Sequence, residues 1–276
     1  MRSFGTSWIG LIGVLFSVLT DCKSVDYVCD QIPYDMQRPD RIMTLSSELE
    51  EISGLVYYQR REILLAVNDE LGVLYGLDPE DGAIRFTWDI GRGGDYEALA
   101  LDNDIVCIME SNGHVTLFDL IKQEVTGRYK NDLTRLQDIE GAYFDKDLFV
   151  VCKEKGLKKD QEIGRKPVYS VPLEKKARVT LAAQISTAEI AKLSGTRGFW
   201  PSGMAMSASD NQLFMLSARS QSLAVLRDEE VVCAIKLDPH LHRQPEAICF
   251  DGNRRLYIAN EANGAEPTIS VFSRQE

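Results

Sequence analysis

The feature that most limits what this chain can become is a short phrase, usually acidic, written five times. It reads "LEEISGLVYY" at 49–58, "DYEALALDN" at 95–103, "DIEGAYFDK" at 138–146, "WPSGMAMSA" at 200–208 and "QPEAICFDG" at 244–252. The small residue inside each copy (Gly54, Ala98, Gly141, Gly203, Ala247) recurs at spacings of 44, 43, 62 and 44 residues. A fixed period of this length marks a repeat architecture. The long third spacing carries an insertion, which holds the polar loop "KGLKKDQEIGRK" (155–166) and "ISTAEIAKLSG" (185–195). Only the latter reads as helix, with Ser186 and Glu189 spaced as a capping box.

Each unit continues in the same order of apolar runs and turns. In the first these are "GLVYY", "EILLAVN", "GVLYGLD" and "AIRFTWD", rich in β-branched and aromatic residues. Four short strands per period form a four-stranded meander, the unit of a β-propeller, whereas a solenoid of this period would show helical spacing. The expected fold is therefore all-β: a five-bladed β-propeller of four-stranded antiparallel blades over residues 41–276. The fifth unit stops one strand short, and "RIMTLSS" (41–47) is unclaimed. That N-terminal strand is expected to close the last blade, which removes an exposed sheet edge.

The 31 Lys and Arg against 42 Asp and Glu give a net charge of -11, which repels phosphate backbones and argues against nucleic acid as a partner. Arg2 followed by the apolar run "WIGLIGVLFSVL" (8–19) reads as an export signal, residues 1–21. "VLTDC" resembles a lipobox ending at Cys22, although Asp21 stands where a small residue is usual. Acylation of Cys22, plain signal cleavage and an uncleaved anchor all stay open. Residues 22–40 read as a flexible polar tether, and the head as an exported monomer of a bacterial envelope, either periplasmic or an outer-membrane lipoprotein. Cys107, Cys152, Cys233 and Cys249 lie in strand-like apolar runs and are expected as buried free thiols. Cys29, in the tether, has no obvious partner.

In a propeller the first strand of a blade lines the central channel and the second returns to the same end. This topology assigns Glu51 with Asp69, Glu97 with Glu110, Glu140 with Glu154, Ser202 with Arg219, and Glu246 with Glu261 to one mouth. Like charges so gathered repel by on the order of 1 kcal/mol or more per pair at surface dielectric. A cation is needed to answer them, and Lys153 and Arg219 answer only part. Calcium suits a ring of carboxylates, with Asn68 and Asn260 as further oxygen donors. Zinc is poorly supported, since His114, His240 and His242 have no ligating companions in the sequence. No phosphate loop and no G-x-S-x-G elbow is present.

The phrases "EEISGLVYY", "VNDELGVLYGLD", "DIEGAYFD", "VCKEKG", "PSGMAMSASDNQLFMLSARSQSL" and "QPEAICFDGNRRLYIANE" together resemble the YjiK-like, SdiA-regulated proteins of bacterial envelopes, across residues 45–276. That resemblance implies a five-bladed propeller distantly related to NHL-repeat propellers, with a calcium site, in the cell envelope. It implies no particular reaction. Three functions remain in view. One is a binding module whose mouth receives a ligand or an envelope protein. Another is a metal-dependent hydrolase of an ester, lactone or phosphate, with a Glu as base and Arg219 or Lys153 stabilising negative charge. The last is a calcium that merely holds the blades together.

Overall fold

The computed structural model describes residue 29 and residues 31–275, so the export signal and the Cys22 lipobox lie outside the described residues. Five four-stranded antiparallel sheets form a closed ring in which each inner strand contacts the inner strands of the blades on either side. Blade one comprises Ile52–Tyr58, Ile63–Asn68, Val73–Leu77 and Ile84–Asp89. Blade two comprises Tyr96–Asp102, Ile105–Glu110, Val115–Asp119 and Glu124–Tyr129. Blade three comprises Ile139–Asp145, Asp147–Cys152, Arg165–Val171 and Thr180–Ser186. Blade four comprises Gly203–Ser207, Gln212–Ser217, Ser222–Arg227 and Glu230–Lys236. Blade five takes Pro245–Phe250, Leu256–Asn260 and Thr268–Phe272 from the C-terminal end and Arg41–Thr44 from the N-terminal end.

Burial follows position in the blade. Every residue of Ile63–Asn68 is buried, because a second strand is sandwiched between neighbouring blades and needs apolar side chains on both faces. The outermost strand Ile84–Asp89 buries only Trp88. Apolar clusters lie between blades; that between blades one and two joins Leu65 and Val67 to Leu99, Val106 and Phe118. The inner strands approach each other most closely at the repeated small residue. A Cβ added at Gly203 would lie 2.6 Å from the Glu246 carbonyl oxygen, and one at Gly141 would lie 3.0 Å from the Met204 nitrogen. The phrase therefore carries a small residue because the channel has no room for a larger one.

The closing strand pairs as the sequence requires, Arg41 opposite Val271 and Thr44 opposite Thr268. The extra length of the third unit lies in the loop between Asp147–Cys152 and Arg165–Val171 and in the helix Thr187–Ser194 with the segment that follows it. Ser186 caps the helix, its hydroxyl accepting from the Glu189 amide at 3.3 Å, and Gly195 ends it in the left-handed conformation at φ 68°.

Two expectations about the N-terminal region give way. Residues 31–40, expected as part of a free tether, are packed: Ile32, Tyr34 and Met36 are buried against Phe214, Val225 and Phe272 of blades four and five. The Tyr34 hydroxyl donates to the Arg254 carbonyl at 2.9 Å. Apolar residues at alternate positions through "QIPYDM" are the signal of a half-buried extended segment, which the surrounding charged residues obscure. Cys233 is not a free thiol but is disulfide-bonded to Cys29 across 204 residues, while Cys107, Cys152 and Cys249 are free and buried. Partners so far apart in sequence meet only once the ring has closed.

Removing residues through Met43 is expected to abolish the cooperative thermal transition, since blade five would then expose an unpaired edge; an unchanged melt would contradict the closure. Replacing Cys29 and Cys233 by Ser should cost about 2–4 kcal/mol, the usual effect of a long-loop disulfide, read as a lower denaturant midpoint with the fold retained.

Candidate functional site: an acidic channel mouth

The first hairpin of blades one, two, three and five slips by one residue, between Ile52 and Gly54, Tyr96 and Ala98, Ile139 and Gly141, and Pro245 and Ala247. The residue in each bulge lacks a ladder partner and can be re-aimed. Those residues are Ser53, Glu97, Glu140 and Glu246, and all four line the central channel. The bulge corrects the register of the sequence reading. The residue before the small marker in blade one is Ser53, not Glu51, so Glu51 is not the counterpart of Glu97, Glu140 and Glu246. Ser202 holds the corresponding place in blade four. The two serines act alike: Ser53 donates to the Tyr96 carbonyl and Ser202 to the Pro245 carbonyl at 2.7 Å, each tying its blade to the one beside it. The carbonyl each reaches is the one just before a channel glutamate.

Beyond the bulges, Glu51 and Asp69 from blade one, Asp95 from blade two, Asp138 from blade three and Glu261 from blade five act on the ionisation of Asp69, of Glu261 and of the channel glutamates. Their backbones are stitched in the same pattern. The Asp69 amide donates to Glu51, Ser111 to Asp95, Lys153 to Asp138 and Glu261 to Gln244. Glu51, Asp95 and Asp138 thus occupy one structural position in three blades. Asp95 and Asp138 were missed by the sequence reading; counting two residues back from the bulge finds both.

Two sequence-assigned acids stand apart. Glu110 ends the second strand of blade two but turns to its own hairpin, accepting from Asn112 at 3.1 Å with the His114 Nδ1 at 3.7 Å. Glu154 is exposed, and its carboxylate acts on Lys166 and Asp138 from the rim. Asn68 is occupied by the chain, its side-chain oxygen accepting from the Glu70 and Leu71 amides. The Asn260 oxygen lies 3.3 Å from Nδ1 of the fully buried His242, whose pKa burial lowers to about 4.

The positive groups sit to one side. Lys153 Nζ is 2.7 Å from Glu140 and influences Glu97, Glu246 and Glu261 as well; Arg135 lies 3.8 Å from Asp95 and Lys166 acts on Asp138, so the eight carboxyls outnumber the cations beside them. Lys166 is anchored to the Lys153 and Glu154 carbonyls, with Arg219 near enough to weaken its charge. Arg219 lies over the Trp200 ring at 4.2 Å. Neither Lys166 nor Arg219 forms an ion pair among the described residues.

Burial is the main reason the mouth's carboxyls resist ionising, and their neighbours add to it. Glu97 is pushed up to about 10, by burial and then by Glu140 and Asp95. Glu246 and Glu261 are pushed to about 7, and Asp69 to about 6. Burial raises Glu140 too, against the pull of Lys153, which stays charged. Glu246 is 7% exposed, and its Oε2 has no hydrogen-bond partner, as is also true of Asp69 Oδ1. The free space between Glu97, Glu140 and Glu246 is about 10 Å³, near the minimum that holds one water or ion. Among the described residues no three carboxylates, histidines or cysteines converge at ligating distance. In kind the donors fit a hard cation: all are oxygens, and two are buried without partners.

The sequence matches no family model and no curated protein. The fold is shared with solved β-propellers. The Myxococcus xanthus glutaminyl cyclase is similar at 11% identity and TM-score 0.59, covering 86% of this chain and 96% of its own. The PQQ-bound aldose sugar dehydrogenase of Streptomyces coelicolor is similar at 13% identity and TM-score 0.52, covering 85% and 97%. A gluconolactonase of Xanthomonas campestris is similar at 17% identity and TM-score 0.50, covering 84% and 80%. At these identities the likeness shows the fold.

The raised carboxyls fix a pH dependence. A group whose pKa is higher folded than unfolded stabilises the fold below its ordinary value, about 4, and loses that effect as pH rises through its folded value. Metal-free protein should therefore lose melting temperature between pH 5 and pH 8 as Asp69, Glu246 and Glu261 ionise. Glu246→Gln should flatten the fall; a variant with the same slope as the parent would show that Glu246 is not part of it.

Proposed function

We propose that this chain is a cation-holding propeller of the bacterial envelope, of the YjiK-like, SdiA-regulated kind that its phrases resemble, and that it acts as a binding module at the acidic mouth. The observation that carries this reading is Glu246, a buried carboxyl that lines the channel with Glu97 and Glu140 and whose Oε2 lacks any partner among the described residues. A buried carboxylate left unanswered is costly, and a hard divalent cation would answer it. Calcium is the ion that the donors suit. Glu97, Glu140 and Glu246 would hold it, with Asp69 and Glu261 beside them. When bound it would supply the positive charge that the channel carboxyls lack, beside Lys153, which pairs with Glu140 at 2.7 Å.

The ligand class follows from the lopsided charge. Lys166 of blade three and Arg219 of blade four form no ion pair among the described residues, which suits an anionic group whose other end reaches the acidic side. An exported location is supported by the Cys29–Cys233 disulfide, since such bonds persist in oxidising compartments. Ionisation of Glu246 and Glu261 near pH 7 also favours a second reading, a metal-dependent hydrolase of an ester, lactone or phosphate, because that range suits a general base. A screen of those substrates with calcium, comparing the parent with Arg219→Ala, separates the two readings: turnover lost in the variant supports the hydrolase, and no turnover supports the binding module.

Chelator-stripped protein should rise in melting temperature with calcium, by roughly 5–10 °C at a hundredfold excess over the dissociation constant. Glu140→Gln and Glu246→Gln should each reduce the shift. No rise at millimolar calcium would end the cation reading.

A further inference from the structure

At the end of the strands away from the acidic mouth, a cavity of about 260 Å³ opens between blades three and four. Its walls are apolar. Tyr143 and Phe149 stack at 5.0 Å between ring centroids with planes 18° apart, and Ile185, Leu213 and Leu226 face them. The outer strand of blade three brings the small Ala182 and Ala183 to this wall beside Ile185, which leaves space over the two rings. The helix Thr187–Ser194 meanwhile packs against the outer strand of blade four.

The rim is acidic. Asp228 and Glu229 line the opening, and both Asp145 and Glu229 act on the Tyr143 hydroxyl, which burial above all pushes up to about 12. Tyr143 therefore remains a neutral hydrogen-bonding group. The two acids of blade four are the central residues of a two-residue turn, at φ 48° and 69°, closed by Arg227 opposite Glu230. Side chains other than Gly, Asn and Asp are uncommon in that conformation, so the turn carries Glu229 at a conformational cost. The neighbouring Arg227 gives its guanidinium to Gln31 at 3.1 Å and leaves the acids alone. Among the described residues Asp145, Asp228 and Glu229 form no ion pair. Lys146, within the same hairpin as Asp145, is the nearest basic residue in sequence.

From these features we infer a second ligand site, distinct from the channel mouth, that takes a small aromatic amine, its ring against Tyr143 and Phe149 and its ammonium among Asp145, Asp228 and Glu229. An apolar pocket with few convergent polar groups is the usual form of a small-molecule site, and the carboxylates select a cation over a neutral isostere. A ring facing two aromatic walls gains stacking in addition to burial.

The test compares 2-phenylethylamine with neutral 2-phenylethanol by NMR titration of the full chain, monitoring Tyr143 and Ala183. The amine should bind saturably and the alcohol more weakly. The double variant Asp228→Asn with Glu229→Gln, which suits the turn at least as well, should lose about fivefold or more in amine affinity and leave the alcohol unchanged. Ala183→Trp, which fills the cavity, should remove both, with melting curves confirming that each variant folds. Three results would overturn the site: no saturable binding at millimolar amine, equal affinity for amine and alcohol, or amine affinity unmoved by both substitutions.

Discussion

Everything at the mouth depends on how closely five inner strands must approach to close so small a ring. Where Gly203 passes Glu246 the backbones leave no room for a methyl group, and the same crowding recurs at Gly54 and Gly141. Crowding selects the small residue of each phrase, and the bulge just before it turns one side chain into the channel. In blades two, three and five that side chain is a glutamate and in blade one a serine; blade four has no bulge, and Ser202 precedes its small residue. The serines bind neighbouring backbone and hold the ring; the glutamates have one lysine among them. A narrow channel thus converts a sequence repeat into a set of carboxyls that resist ionising.

The sequence carried the fold because propeller strands are local. Period, turns and the missing fifth-blade strand can all be counted, and Arg41–Thr44 lies where the count puts it. The site was harder to read for two physical reasons. A bulge shifts register by one residue without altering composition, so Glu51, conspicuous beside Glu50, stood in for Ser53 while Asp95 and Asp138 went unnoticed. Proximity to a strand end also does not fix where a side chain turns, and Glu110 found partners in its own hairpin. Contacts made only after closure, such as Cys29 with Cys233 or Tyr34 with Arg254, leave no trace in local pattern.

The molecule's two faces differ in chemistry. The mouth is charged, with acids over most of the ring, Lys166 on blade three and Arg219 on blade four. The opposite end offers an apolar cleft with an acidic rim. Both sites adjoin blade three or four, where the insertion interrupts the repeat and the blades are least alike. Regular blades build the ring, and departures from regularity build the places where something can bind.

The central claim is that buried channel carboxyls await a cation. It is tested most directly by carboxyl-resolved carbon NMR titration of the metal-free protein. The account predicts that Glu97 and Glu246 both titrate well above the ordinary carboxylate range, raised above all by burial, and that calcium brings both down toward it. Titration of both at about 4.3 without metal, the value for a solvated glutamate, would contradict it.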